Sequence, residues 1–394
     1  MQTASIPAPS TAGGRPRMAV ATAVDLRQPF GHVVHLTEMF NALAEKGWEI
    51  TLFVPQMDGA PPPHPLGRCG YQIAPVPVGR LPKLRMLHYE SRVLQRIVRD
   101  HNRRPWDLIY TRSDVHSLAG RQAARMLNLP HVVEFNNLKG EEIRKAGRSL
   151  LLAHGIRMIE GFLAQGSQGV VTVTDGLSRV ISGEYGASKE RCAVIGNGVN
   201  TAHIKPAAEP PPPRPLRLVF IGQFTPFQGL PELVKAMTSV SDVARTTIVG
   251  SPPRNGELVH TATPGMEWKG RVPYRDLPAE LQQAHAGVAP FSRTLNETTG
   301  RSPLKIFDYL ACGLPVLSTR IPGLEFIEEE GVGRLVPPDD PAALVQAIRQ
   351  MAADPLKLRE MACRARRLAV DRFDWRHRAR DLDSFLRKIL SSQD

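Results

Sequence analysis

Lys305 and Asp308 stand three residues apart in the stretch Ser-Pro-Leu-Lys-Ile-Phe-Asp at 302–308, an amine and a carboxylate directly behind a helix start. Ser302 is a good N-cap and Pro303 fits the first helical position; Gly313 stops the helix before an apolar strand at 316–319. At about 100° per residue, Leu304, Phe307 and Ala311 form the buried stripe, Asp308 falls on its edge, and Lys305 lies roughly 60° further round. A carboxylate at that edge needs a partner, either Lys305 on the same helix or a diol beyond the end of the sheet. Gly222 and Gly229 follow an apolar run and precede a helical pattern, a place where backbone closely approaches a phosphate or simply turns. Glu134 closes the strand pattern at 131–133, near a carboxyl end, where ligands of parallel sheets bind.

These residues need a scaffold, and the order of patterns supplies one. An apolar run at 18–24, a loop with Pro29 and Gly31, and a helix from about 32 to 46 give the strand, loop, helix grammar of a parallel sheet. It continues through strands at 50–54, 108–110, 131–135 and 170–174 and ends in a turn at Asn197-Gly198. Residues 205–215 hold six prolines, Pro206, Pro210, Pro211, Pro212, Pro213 and Pro215, and read as a stiff linker. Beyond it, strands at 216–221, 247–249, 287–289, 315–317 and 334–336 alternate with helices, the first carrying Leu230, Leu233, Val234 and Met237 on its apolar face. The expected plan is α/β: a loose tail at 1–17, a Rossmann-like domain at 18–204, the linker, a second such domain at 216–373, and a final helix at 374–394 packing back on the first domain. Two such domains face a central cleft between the carboxyl ends of their sheets.

Composition narrows the partners. The 394 residues carry a formal net charge of +12, which favours anionic company: nucleotide phosphates, anionic lipid or a phosphorylated carrier. Six tyrosines, four tryptophans and no recognition motif argue against nucleic acid. The basic segment 79–104 intersperses Arg92, Arg96 and Arg99 with Leu87, Val93, Leu94 and Ile97, and reads either as an anionic-membrane contact or as a solvated helix face. The four cysteines, Cys69, Cys192, Cys312 and Cys363, lack metal-ligand spacing, so a reducing compartment and no metal are expected. Residues 1–17 do not read as a signal peptide and no apolar run is long enough to span a bilayer, so a cytoplasmic protein is expected, with the inner membrane face as a possible station.

Taken in order, these segments resemble the retaining glycosyltransferases of family four, with the GT-B fold. The resemblance rests on Ile195-Gly-Asn-Gly-Val-Asn200 between the domains, the glycine-rich loop at 220–229, Trp268-Lys-Gly-Arg-Val272, the helix and turn at 302–316, and the last strand and loop at 331–340. Tyr110 with Arg112, and Glu134 with Asn136 and Glu142, are similar to a bacterial branch of that family. The resemblance implies a nucleotide-sugar donor as co-substrate, no other cofactor, and a glycan, lipid-linked or small-molecule acceptor. It assigns donor binding to Gly222, Gln223, Gln228, Gly229, Val272, Ser302, Pro303, Leu304, Lys305 and Asp308, with Asp308 on the ribose. Gly31, His32 and Arg112 fall on the acceptor side, and Glu134, Asn136 and His35 are the catalytic candidates. Each histidine also reads as a packed or solvated helix residue.

Three positions depart from the family pattern. Gln223 and Gln228 stand where an arginine and a lysine usually meet the diphosphate, and Gly300 stands where a glutamate usually touches the sugar. A glutamine donates hydrogen bonds but no charge, so Lys305 is the expected replacement cation, with Arg301 as the alternative. Front-face transfer needs no enzyme nucleophile, which matches the absence of a paired-carboxylate motif. Two other readings stay open: an epimerase of sugar nucleotides on the same architecture, and a noncatalytic partner whose donor site is lost.

Overall fold

The computed structural model describes residues 14–28, 31–56, 70–79, 84–115, 117–147, 149–251, 263–294 and 296–392. The chain divides into two compact units, one of residues 1–196 with 378–394 and one of residues 197–377. Both are α/β with all-parallel sheets, the two-Rossmann architecture expected from the strand and helix order.

In the first unit the strands are β1 (Arg17–Ala21), β2 (Glu49–Gln56), β3 (Gln72–Pro77), β4 (Leu108–Arg112), β5 (His131–Phe135), β6 (Gly169–Thr172) and β7 (Cys192–Val194). Their order across the sheet is β3-β2-β1-β4-β5-β6-β7. The central strands are buried on both faces, as unbroken apolar runs demand. The helices are α1 (Gly31–Ala44), α2 (Arg85–Arg103), α3 (Ala119–Leu127), α4 (Lys139–Lys145), α5 (Leu150–Gly166) and α6 (Asp175–Glu184). Two N-termini borrow their caps from other helices. Glu90 Oε2 accepts from the Ala119 N–H at 2.7 Å, and Glu160 Oε1 accepts from the Lys139 N–H at 2.6 Å. Burial pushes both carboxyls up to about 7.

The second unit holds β8 (Leu216–Ile221), β9 (Ala244–Val249), β10 (Met266–Gly270), β11 (Ala286–Ala289), β12 (Val316–Thr319) and β13 (Gly333–Val336), in the order β10-β9-β8-β11-β12-β13. Around them lie α7 (Leu230–Thr238), α8 (Leu277–Leu281), α9 (Leu304–Ala311), α10 (Phe326–Glu329), α11 (Pro341–Ala353) and α12 (Pro355–Leu368); the last helix, α13 (Trp375–Ser391), starts in this unit and continues into the first. Asp340 and Asp354 cap α11 and α12 ahead of Pro341 and Pro355, the aspartate-proline start that spares one orphan N–H and satisfies another.

Several expectations shift. Arg17, read as tail, opens β1, where its N–H donates to Asp107 Oδ2 at 2.7 Å; residues 1–13 lie outside the described residues, as do Pro29 and Cys69. The strand β3 was not expected, because Pro75 and Pro77 break its pattern; it is an edge strand, where proline is tolerated. The division between units falls at 196, and residues 205–215 lie inside the second unit rather than between domains. The reason is local: Val199 exchanges backbone hydrogen bonds with Phe373 and Trp375, and Ile204 is fully buried in the second core. The basic segment 79–104 forms α2, whose Tyr89, Val93 and Ile97 are buried in the first core, so most of its apolar residues are spent on packing; Arg80, Leu81 and Lys83 lie outside the described residues.

The helix α13 ends in the first unit. There Trp48 Nε1 donates to Asp383 Oδ1 at 2.7 Å, and Gly169 at the start of β6 leaves room for Phe385 and Ile389. A Cβ at Gly169 would lie 2.5 Å from Ile389 Cδ1 and 3.0 Å from the Phe385 ring. Gly169→Val is therefore expected to lower stability by about 1–3 kcal/mol in urea unfolding, with Gly169→Ala milder because the Ile389 end can swing aside. An unchanged midpoint for Gly169→Val would refute this packing.

Candidate active site

In the second unit the site is organised by α9. Apart from its first residue, every side chain of this helix is buried, from Lys305 through Ala311, not the single Leu304, Phe307, Ala311 stripe that periodicity suggests. Tyr309 anchors it: its hydroxyl accepts the Ile221 N–H at 2.9 Å at the end of β8 and donates to the Val288 carbonyl. Its ring fills the space that a side chain at Gly287 would need. From the other end, Arg366 donates to the Ala311 carbonyl at 2.7 Å, serving one of the helix's last carbonyls. The helix begins at Leu304, with Pro303 in the cap position and no side-chain cap. Ser302 is thus not the N-cap: its hydroxyl accepts the Asn197 N–H at 2.9 Å, and its carbonyl accepts from Asn197 Nδ2. That pair ties the Asn-Gly turn to the helix start.

So fixed, α9 delivers Lys305 to the glycine loop behind β8. Its Nζ donates to Gln228 Oε1 at 2.6 Å, lies 4.1 Å from the centre of the Phe220 ring, and would be 2.8 Å from a Cβ at Gly222. Burial pushes this amine down to about 7, and nothing charged compensates it. The loop itself is made by glycine backbones. Gly229 at φ 65° has the Pro290 carbonyl where a side chain would sit, and Gly250 presses likewise on the Gly222 carbonyl. Gln223 is exposed and Gln228 half-buried. Asp308 is buried on the same helix, and Val272 packs half-buried against the core beside the strand β10, whose Trp268 meets Phe224 edge-on at 5.3 Å.

Arg301, the alternative cation, is committed elsewhere: Nε donates to Asn296 Oδ1 at 2.7 Å, and the guanidinium lies 4.8 Å from the Phe227 ring centre. Asn296, fully buried, also donates to the Ser292 carbonyl and so holds the loop before α9, a role with no local signature in the residues around it. Gly300 has φ 67°, and a Cβ there would come within 2.7 Å of the Pro322 carbonyl. The backbone here is built for glycine, so the missing glutamate is a feature of this loop's path and not a simple truncation of a side chain.

In the first unit the carboxyl ends of β4 and β5 carry a buried cluster. Tyr110 donates to Glu134 Oε2 at 2.7 Å, His35 Nε2 lies 2.6 Å from Glu134 Oε1, and Asn136 Nδ2 donates to the same oxygen. Burial alone would raise the Glu134 carboxyl, but His35, Arg112 and Tyr110 outweigh it and hold it at about 2. A carboxylate this acidic, with both oxygens engaged, is a poor proton acceptor near neutrality. It orients His35 and Asn136. Nearby, burial, Arg112 and Lys139 push His32 down to about 4, and the Arg112 Nε is buried without a hydrogen-bond partner among the described residues. Gly31 is exposed at the start of α1. Another histidine, His131, is fully buried between Thr111 Oγ1 and Ser167 Oγ, each at 2.8 Å, and is held neutral by that burial. Among the described residues no group of three or more His, Cys, Asp or Glu side chains is placed to hold a metal ion.

Two Rossmann-like units, each on an all-parallel sheet, place the chain in the GT-B class of α/β proteins. Comparison with known families makes this specific. Residues 31–203 match the model described as "Glycosyltransferase Family 4" and residues 215–354 the model described as "Glycosyl transferases group 1". The chain therefore carries both glycosyltransferase domains, in order, one on each sheet. It is 25% identical to glycogen synthase of Mycobacterium tuberculosis over 57% of this chain and 55% of that one, so it spans about half the length of that curated relative. In fold it is similar to sucrose-phosphate synthase from Thermosynechococcus elongatus, with a TM-score of 0.77 and 19% identity over 96% of this chain and 100% of that one. It is also similar to Anabaena HepE solved in complex with UDP-glucose, with a TM-score of 0.71 and 16% identity over 94% of this chain and 99% of that one.

The Lys305 geometry sets a cost that can be measured. An amine whose pKa falls from 10.5 to about 7 on folding destabilises the folded state fully below pH 7, and progressively less as pH rises toward 10.5. Lys305→Met should thus raise the melting temperature by several degrees at pH 6 and by clearly less at pH 9; equal shifts at both would show the charge is not the cause. Gly300→Glu, although it restores the family's residue, should cost about 1–3 kcal/mol in the same assay, because φ 67° and the Pro322 carbonyl oppose any side chain.

Proposed function

We propose that the chain transfers a hexosyl group from a nucleoside diphosphate sugar to a hydroxyl acceptor with retention of configuration. The observation that carries this is the Lys305 ammonium, sunk against the glycine loop with a single neutral acceptor, Gln228 Oε1. Such a charge is costly unless an anion joins it, and a diphosphate at the Gly222 and Gly229 loop is that anion. The matched family models and the likeness to HepE, solved with UDP-glucose, support a nucleotide-sugar donor.

In this reading the bond between the sugar's anomeric carbon and the β-phosphate oxygen breaks, and the bond to the acceptor oxygen forms on the same face. The acceptor's proton passes to the departing phosphate oxygen. Negative charge therefore grows on the diphosphate, and Lys305 is already placed to meet it without reorganisation. Gln228 holds the amine in position, and Gln223 adds a neutral donor. Asp308 takes the ribose hydroxyls, and Trp268 to Val272 lie along the base. On the acceptor unit, Glu134 fixes His35 and Asn136, while His32, Arg112 and Gly31 line the approach of a glycan, lipid-linked or small-molecule acceptor. His32, held at about 4, meets the acceptor as a neutral imidazole at pH 7.

Proton linkage tests the donor assignment. If a diphosphate raises the Lys305 pKa, binding is strongest below pH 7, where the free enzyme is already protonated, and weakens as pH rises from 7 toward the bound-state value. Titration calorimetry with UDP should show affinity falling by up to about tenfold per unit above pH 7, where the terminal phosphate is already ionised, with uptake approaching one proton as the free amine deprotonates. Lys305→Met should lose roughly 10- to 100-fold in affinity and all of this pH dependence. Failure of UDP, GDP and dTDP alike to bind would leave the noncatalytic reading standing. Turnover of a donor panel without any acceptor would instead favour the epimerase reading.

A further inference from the structure

We infer that the solvent-facing side of α5 docks on an anionic lipid bilayer. A surface helix ordinarily shows one apolar face to the core and a polar face to water. The helix α5 is apolar on both. Ala153, Ile156 and Leu163 are buried in the first unit, while Leu151, Met158 and Phe162 are 88%, 64% and 48% exposed. These three stand at i, i+7 and i+11, within about 40° of one another around the helix, so they form a stripe and not scattered single residues. Leu150, 71% exposed, lies at the same end of the helix as Leu151.

Positive charge stands at the Phe162 end of the stripe. The Arg121 guanidinium lies 5.3 Å from the Phe162 ring centre, Arg125 on the same helix α3 is exposed and close enough to depress the Arg121 pKa, and Lys145 is exposed at the end of α4, five residues before α5. An apolar stripe between cations is the arrangement by which a helix lies in a bilayer interface, apolar side chains entering the acyl boundary and cations meeting lipid phosphates. The chain's +12 net charge adds long-range attraction to an anionic surface. The basic helix α2 is not built this way, since its Tyr89, Val93 and Ile97 are committed to the core. This assignment does not rest on the donor site.

Sedimentation of the full chain with phosphatidylcholine vesicles, with and without phosphatidylglycerol, tests it. The chain should partition onto the anionic vesicles and much less onto the neutral ones. Replacing Leu151, Met158 and Phe162 together by serine should lower partitioning roughly tenfold or more, while the melting temperature and UDP affinity stay unchanged. Arg125→Glu with Lys145→Glu should remove the preference for phosphatidylglycerol. Equal binding by the serine variant, or no binding of the parent to either vesicle, overturns the proposal. So does light scattering that shows the parent as a dimer, and the serine variant as a monomer, without vesicle binding; the stripe would then be covered by a second copy.

Discussion

The second unit of this protein is built around an unfavourable act, the burial of the Lys305 amine. Phe220 and Phe291 surround it, Gln228 supplies its acceptor, and the pKa falls to about 7. Nothing about a lone ammonium in such surroundings is stable by itself. It is held there because the rest of the helix is fastened independently, by Tyr309 to the ends of β8 and β11 and by Arg366 to the last turn. Stability elsewhere in the helix thus sustains a strained charge at the ligand end, a common division of labour at functional sites.

The first unit solves the opposite problem. Glu134 is just as buried, but donors surround it, and it stays ionised far below neutrality. One unit therefore holds a cation short of partners, and the other a carboxylate with all it can use. The first is poised to bind, the second to orient. Both arise at the carboxyl ends of parallel strands, where chain direction brings loops together and leaves backbone groups for ligands.

Much of this was legible in the residues, for reasons that can be traced. Predominantly apolar, β-branched runs located β5 and β8 to the residue, and the order of glycine loop, proline-started helix and Gly-Pro turn indicated two Rossmann-like halves. What escaped was whatever depends on a partner distant in sequence. The helical wheel placed Lys305 outside the apolar stripe, because it could not see Phe220 closing over the other side. Ser302 has the right chemistry for an N-cap, but Asn197, more than a hundred residues away, takes its hydroxyl. Glu134 could be picked from its place at a strand end, and Asn136 and His35 from the family resemblance, yet only the fold shows that they share one hydrogen-bonded cluster. In α5 apolar residues fall on more than one side of the helix, and no local pattern reveals which of them goes uncovered. The masking of β3 by Pro75 and Pro77 is different in kind: a local signal overruled by its edge position.

The loop after β8 also says something about the route by which such a site can change. Its Gly229 meets the Pro290 carbonyl directly, and its Gly222 lies against Gly250 at the end of β9, so Gly229 and Gly250 are closed to substitution. Gln223 is exposed, and a longer side chain there disturbs no packing. Charge at the loop is thus free to come and go in evolution, whereas its shape is not.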